Sequence, residues 1–450
     1  LSNPSEFARK DQSAVFSLDE LGLTTNGNYR VTSAGVEVAS QASDTDGDGS
    51  KDALVFVADF APAESKTFAI IAGSATTPDK RTQAEVSIKE GGAWEDQKYV
   101  GGTFTNVEAV TLPPQYTDHS EYIRYEGPGI ESDKVGYRVY LDWRNGFDVF
   151  GKTRPALVLS DIGQDGYESY HEMADWGADI LKVGKSLGMG GYGYWDGSKA
   201  VLVSDVAVRT TSIHSSGPIN SSLEIDYRDW NTGTETVDLK AVLSMQAGSP
   251  LVDVELELSR PLDRLAIGVV AHPDTELLMG DLEITGEAWS YMASFGRQTL
   301  FDDHLGMAVL FRKRDFDKQA RDENSYVLVM RPRGTRLSYA FGAFWSGQHG
   351  GIQTRGELEA YRAKAVEKRT LPPRVQLKTT VSEQSAALKP LQVARRLAES
   401  EMQRRGDGLS LGQWDIARDR ASKWSYTTGL LMEAMDDLSN ATGDPQFADY

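Results

Sequence analysis

Apolar residues along most of this chain alternate with polar ones at a period of two, the pattern of strands that bury one face. From Phe16 to about Thr380, short segments rich in β-branched and aromatic residues recur between Gly, Asn, Asp and Pro turns. Examples are "ALVFVADF", "VGYRVYLDW", "VDLKAVLSM", "LVDVELELS", "SYVLVMRP" and "LSYAFGAFW". This spacing predicts a mainly β protein built as a large β-sandwich with a few helices.

Helical periodicity interrupts the pattern twice. The stretch "YHEMADWGADILKVGKSLG" predicts a helix around Glu172 to Ser186, and "TRGELEAYRAKAVEKR" predicts one from Thr354, with a Thr354/Glu357 capping box and a stop at Pro372 and Pro373. The second is expected to lie across the mouth or back of the sandwich. Beyond about Lys389 the character changes: "PLQVARRLAESEMQRRGDG" reads as a linker helix, 391–413, ended by Gly406. Trp424, Thr428, Leu431, Ala434, Met435 and Leu438 then follow at helical spacing, closed by Gly443 and Pro445. The expected organisation is a sandwich over 10–390, the linker helix, and the beginning of an α-helical domain over 414–450.

Composition narrows the function classes. With 47 Lys and Arg against 66 Asp and Glu, the net charge of -19 argues against attraction to nucleic acid or an anionic membrane surface. The absence of cysteine removes disulfides, thiol nucleophiles and thiolate metal sites. No apolar run is long enough to insert in a membrane. The first residues, "LSNPSEFARK", carry no secretory signal, so a leader has been removed or there was none.

One motif is metal-like. In "DTDGDGSKD", Asp44, Asp46, Asp48, Gly49, the Ser50 carbonyl and Asp52 occupy positions 1, 3, 5, 6, 7 and 9 of the EF-hand calcium loop. Position 12 is Val55 and the flanks read as strands, so the expectation is a structural calcium turn in a β hairpin. The bland alternative is a hairpin held by Asx turns without metal. Hard oxygen sites of modest affinity suit places rich in calcium, which points to the periplasm or outside the cell.

Candidate chemistry concentrates in Tyr167 to Trp195: Tyr167, Tyr170, His171, Lys182, Lys185, Tyr192, Tyr194 and Trp195, with five glycines from Gly184 to Gly193. His and Tyr carry protons, Lys neutralises anions, and glycine lets a ligand approach the backbone. Tyr170, His171, Lys182, Tyr192 and the strand-end His272 are the candidate catalytic residues; Arg138, Arg144, Lys185, Tyr194 and Trp195 are the candidates for binding substrate. In "YRVYLDW", Tyr137, Val139 and Leu141 face one way and Arg138, Tyr140 and Asp142 the other, either a polar concave face for an anionic sugar or a surface ion pair. Zinc-helix spacings and the G-x-S-x-G elbow are absent.

Two resemblances sharpen this. "WSYTTGLLMEAMDDLSNATGDPQFADY" resembles the first helix of the unsaturated glucuronyl and rhamnogalacturonyl hydrolases, (α/α)6 barrels that remove a 4,5-unsaturated uronic acid from an oligosaccharide. It covers the 37 residues from Trp414 to Tyr450, and the family's catalytic aspartates would lie beyond them. "TDHSEYIRYEGPGIESDKVGYRVYLDWRNGFDVFGK" and "HEMADWGADILKVGKSLGMGGYGYWDG" are similar to a bacterial domain-of-unknown-function family that sits beside pectin and ulvan degradation enzymes, with an oligosaccharide dehydratase as a plausible member. Together they imply a mutarotase-like supersandwich and a carbon–oxygen lyase, a dehydratase or polysaccharide lyase forming a 4,5-unsaturated uronate on an acidic oligosaccharide, with no organic cofactor. The alternative is a non-catalytic carbohydrate-binding module fused to the hydrolase.

Overall fold

The structure is a computed structural model and describes residues 1–166, 168–282, 288–378, 390–405 and 426–449. The chain forms two compact units, Leu1–Gln376 and Leu377–Tyr450.

Alternating strands such as Thr236–Gln246 bury every second residue, and pairing them in antiparallel register puts those residues on one face. Nine strands join this way into one sheet, from Glu276–Met279 at one edge to Ala109–Thr111 at the other. Facing it are a six-stranded sheet centred on Gly136–Val139 and Gly129–Ser132, and a five-stranded sheet centred on Leu265–Val270. One apolar core, with Trp230, Leu243, Val254, Phe341, Val149 and Ile267 among its members, fills the space between them. The first unit is therefore a mainly β, multi-sheet sandwich, with two small three-stranded sheets near its N-terminus.

Helix α1, Arg355–Thr370, starts at the predicted capping box: Thr354 Oγ1 accepts from the Glu357 amide and Glu357 accepts from the Thr354 amide. Its Leu358 and Ala365 close a second core against Ala293, Ala308 and Leu310, on the outer face of the nine-stranded sheet. In the second unit, α2 (Pro390–Arg405) and α3 (Tyr426–Thr442) pack through Ala398, Met435 and Leu438, and Gly443 caps α3 at φ 68°. Tyr167, Gly406, Trp414 and Trp424 lie outside the described residues.

The helix expected around Glu172 to Ser186 does not form. A 3-10 turn, Ser169–His171, ends just before that stretch, which holds a short strand, Gly177–Asp179, paired with Phe150–Lys152. Gly177, at φ 132°, is wedged against the Gly151 carbonyl, where any Cβ would collide, so the chain leaves the turn extended and buries Ala178 and Ile180 on one face.

Candidate active site

Strand pairing builds the site around one guanidinium. Arg138 stands directly opposite Asp148, and Asp179 lies on the next strand beyond. Its Nη2 donates to Asp148 (2.7 Å), Asp179 (2.5 Å) and the Tyr140 hydroxyl (2.6 Å), its Nε to Asp148 (3.1 Å) and its Nη1 to the Tyr170 hydroxyl (3.0 Å). Tyr140 in turn donates to Asp148 (2.6 Å). With 1% of its side chain exposed, Arg138 is saturated from within, and its predicted contact with substrate is corrected: it positions other groups. The polar face of "YRVYLDW" is neither a sugar-facing groove nor a surface ion pair but a buried network.

The network reaches solvent at His171. Its imidazole is 38% exposed, and Nε2 lies 3.3 Å from the Asp179 oxygen that Arg138 holds. Tyr170 packs beneath it, ring to ring at 4.6 Å. A proton carrier, an orienting carboxylate and a cation fixing that carboxylate thus stand in series, the arrangement that activates a general base.

On the other side of the same guanidinium, Glu126 lies 4.0 Å from Arg138 Nη1. Arg144 Nη2 bridges Glu126 (2.9 Å) and Asp118 (2.7 Å), and the guanidinium stacks 3.8 Å over the Tyr140 ring. Burial pushes the Asp118 carboxyl up, and a hydrogen bond to Glu126 adds to this. Burial also acts on Glu126, but Arg138 and Arg144 outweigh it and hold that carboxylate below its usual range. The two shifts run in opposite directions, so of this pair Asp118 is the carboxyl that more readily holds a proton.

Asp118, His119 and Glu126 were not singled out from sequence, although "TDHSEYIRYEGPG" is dense in ionisable groups. The backbone marks the place: His119, Glu121, Tyr125, Glu126 and Asn145 all take positive φ, between 39° and 67°. Such strain in non-glycine residues gathers where the fold is overdetermined around a site. One ligand atom from each of Asp118, His119 and Glu126 lies within 4.8 Å of the others, and this mixed nitrogen and oxygen set suits a first-row divalent cation better than calcium. Arg144 already places positive charge on both carboxylates.

The remaining predicted residues lie elsewhere in the network of the fold. Tyr192, Tyr194 and Trp195 sit on Met189–Trp195, a strand buried on both faces, each 4% exposed or less. Tyr192 shares a hydrogen bond with Tyr227 (2.7 Å) and Tyr194 accepts one from Arg264 (2.6 Å). Their catalytic and sugar-stacking roles are corrected to core packing. The glycines beside them answer to protein atoms as well: a Cβ on Gly190 would strike Phe341, and Gly190 also takes φ 77°. Lys182 and Lys185 are exposed, while His272 bonds the Lys182 carbonyl through Nε2 (3.0 Å) and is held below its usual pKa by burial.

The acidic turn is ordered by its own amides. Asp44 accepts from Gly47 (2.7 Å) and Gly49 (2.9 Å), Asp46 from Asp48 (3.2 Å) and Asp48 from Ser50 (2.6 Å). Oxygens of Asp44, Asp46 and Asp48 converge within 4.8 Å and fit a hard cation, while Asp52 turns back onto Thr45 through Oδ1 (3.0 Å) and Oδ2 (2.7 Å).

Asp148 supplies a pH test of the network. Burial, then the adjacent Asp179, pushes its carboxyl from 3.8 up to about 6, against the pull of Arg138. The folded chain then holds a proton that the unfolded chain releases, so this group's contribution to stability falls as pH rises from 3.8 to about 6. Asp148→Asn is expected to remove that segment of the dependence of Tm on pH; parallel curves for the two proteins across this window would contradict it.

The fold and the cluster define a mainly β sandwich domain with ionisable side chains, His171 and Asp118 among them, at the rim of a buried polar network. Residues 1–375 match the family described as "Domain of unknown function (DUF4861)", and the chain belongs to that family. It is 22% identical over 359 residues to Uncharacterized protein P7 of Formosa agariphila, covering 76% of this chain and 82% of that protein. Among solved structures it is similar to an alpha-mannosidase from Enterococcus faecalis V583, with TM-score 0.42 and 9% identity over 85% of this chain and 46% of that one. A protein in glycosyl hydrolase family 38 from Enterococcus faecalis gives TM-score 0.39 and 10% identity over 82% and 46%. The chain spans less than half the length of either structure.

Proposed function

We propose that the sandwich domain is a carbohydrate-active lyase that performs β-elimination on a uronate residue of an acidic oligosaccharide, such as an ulvan or pectin fragment. The observation that carries this reading is the series His171, Asp179 and Arg138, whose guanidinium also lies 4.0 Å from Glu126, the carboxylate that Arg144 bridges to Asp118. His171 removes the C5 proton, the electron pair forms the C4–C5 double bond, and the C4 oxygen leaves with the proton of Asp118. Arg144 faces the developing charge on the uronate carboxylate. If the C4 oxygen is a hydroxyl, water departs and the enzyme is a dehydratase; if it is a glycosidic oxygen, the chain is cleaved.

The helices after residue 390 and the resemblance of the tail to uronyl hydrolases support a fusion in which the next domain consumes the unsaturated product. The reaction creates a conjugated chromophore, so the full chain incubated with uronate oligosaccharides is expected to raise ultraviolet absorbance, and mass spectrometry then separates loss of water from chain cleavage. No rise with any uronate polymer would sink the lyase reading.

The Asp44 turn supports a structural calcium ion and, with it, a periplasmic or secreted setting. Chelation is expected to lower Tm by an amount corresponding to about 2–3 kcal/mol, the linkage at roughly a hundredfold excess of calcium over its dissociation constant. Turnover at a temperature where the chelated protein stays folded is expected to be unchanged. Activity lost without a fall in Tm would place the ion in the reaction instead.

A further inference from the structure

A large cavity in the first unit lies away from the His171 cluster. A cavity of about 830 Å³ opens between strand Arg9–Ser17, the turn at 246–253, the loop at 348–352 and helix α1. That is within the size range of small-molecule sites, about 300–1,000 Å³. In a chain of net charge -19, six Lys and Arg line it against three Asp and Glu. Each of those acids is already paired: Asp11 with Arg81 (2.7 Å), Asp253 with Arg369 (2.5 Å) and Glu367 with Arg9 Nη2 (3.4 Å).

What remains is unpaired and points to a ligand. Arg9 has 4% of its side chain exposed, and among the described residues its Nε and Nη1 have no hydrogen-bond partner. Leaving such donors buried and unmet costs about 1–3 kcal/mol, more for a charged group. Gln12 Oε1 and Gln246 Oε1, in the same lining, are buried acceptors without a donor. Lys368 also lines the space, and burial, then Arg369 and Arg9, pulls its ammonium down to about 8, the sign of a cation held among cations. Phe344 and Tyr361, with ring centroids 4.6 Å apart, supply an aromatic wall. Cationic donors, neutral acceptors and an aromatic face in one chamber match an anion that also carries hydroxyls.

We propose that this cavity is a second binding site, taking a sugar acid whose carboxylate rests on Arg9 and Lys368 and whose hydroxyls donate to Gln12 and Gln246. Its lining shares no residue with the His171 cluster, so it stands or falls independently of the lyase reading.

Calorimetric titration of the full chain with glucuronate, glucose and inorganic sulfate tests it. Saturable binding of glucuronate is expected, with glucose and sulfate each at least about tenfold weaker, since each lacks one of the two sets of contacts. Lys368→Met and Gln246→Leu are expected to weaken glucuronate by about tenfold or more, while His171→Ala leaves this binding unchanged. Both cavity substitutions avoid Arg9, whose Nη2 holds the end of α1 through the Leu371 carbonyl (2.8 Å). Absence of saturable binding, equal affinity for glucose or sulfate, or loss in His171→Ala with none in Lys368→Met would each overturn the proposal.

Discussion

His171→Ala is expected to lower kcat/KM on uronate oligosaccharides by about 10²–10⁴, the range a positioned proton carrier contributes, with Tm essentially unchanged. The two outcomes separate because of where the side chain sits. It is 38% exposed, and Asp179, 3.3 Å from its Nε2, can lose that contact without being stranded, since Arg138 still holds it at 2.5 Å. The Tyr170 ring loses one neighbour but keeps its edge contact with Phe150 at 5.7 Å. Asp179→Asn tests the orienting role differently. It keeps the shape but weakens the hold on the imidazole, so the alkaline and acid limbs of the pH–rate profile are expected to move while KM changes little. Full turnover in His171→Ala would place the proton transfer on another group, with Asp118 and His119 the first to examine.

The sandwich was legible because strands such as Thr236–Gln246 bury one face, and a period of two survives in the letters. Helix α1 was legible because its capping box is local, two residues bonded to each other's amides. Met189–Trp195 misled because a strand buried on both faces carries no polar alternation, and its aromatic and glycine content looks the same whether it faces a sugar or Phe341. The stretch after His171 misled for a related reason: Ile180, Leu181, Val183 and Leu187 are all buried and satisfy a helical stripe, but their burial comes from strand contacts made far away in sequence. Arg138 could be placed on the polar face of its strand, yet the letters could not show that Asp148 and Asp179 would close over it. Asp118 and Glu126 join the site through left-handed backbone at His119 and Glu126, which no propensity anticipates.

The largest effect on stability is expected at a second buried pair, beneath the loop that carries the site. Lys152 and Glu131 meet at 2.7 Å with both side chains fully buried. Glu131 also accepts from the amides of Val158 (2.9 Å) and Leu159 (2.9 Å), and Lys152 donates to the Ala156 carbonyl (2.7 Å), so the pair ties the 156–162 segment to two strands of the six-stranded sheet. Val158, Leu159 and Ile162 from that segment share a small core with Phe150 and Tyr170, the floor under His171. Lys152→Met keeps the volume but leaves the Glu131 carboxylate buried without its cation, a loss of about 3–5 kcal/mol. Burial already pushes Glu131 above its ordinary 4.5, with Lys152 opposing, and removing Lys152 raises it further. A carboxyl raised in the folded state loses stability as pH climbs past its unfolded value, so the deficit of Lys152→Met is expected to be largest at neutral pH and to shrink toward 4.5. Adding Glu131→Gln to Lys152→Met removes the stranded charge and is expected to restore much of the loss. Thermal melts of the two variants at about pH 5, close to the ordinary glutamate range, and at about pH 7.5, roughly three units above it, decide it: a deficit independent of pH, or one the double substitution leaves intact, would mean that packing rather than the buried charge holds this segment in place.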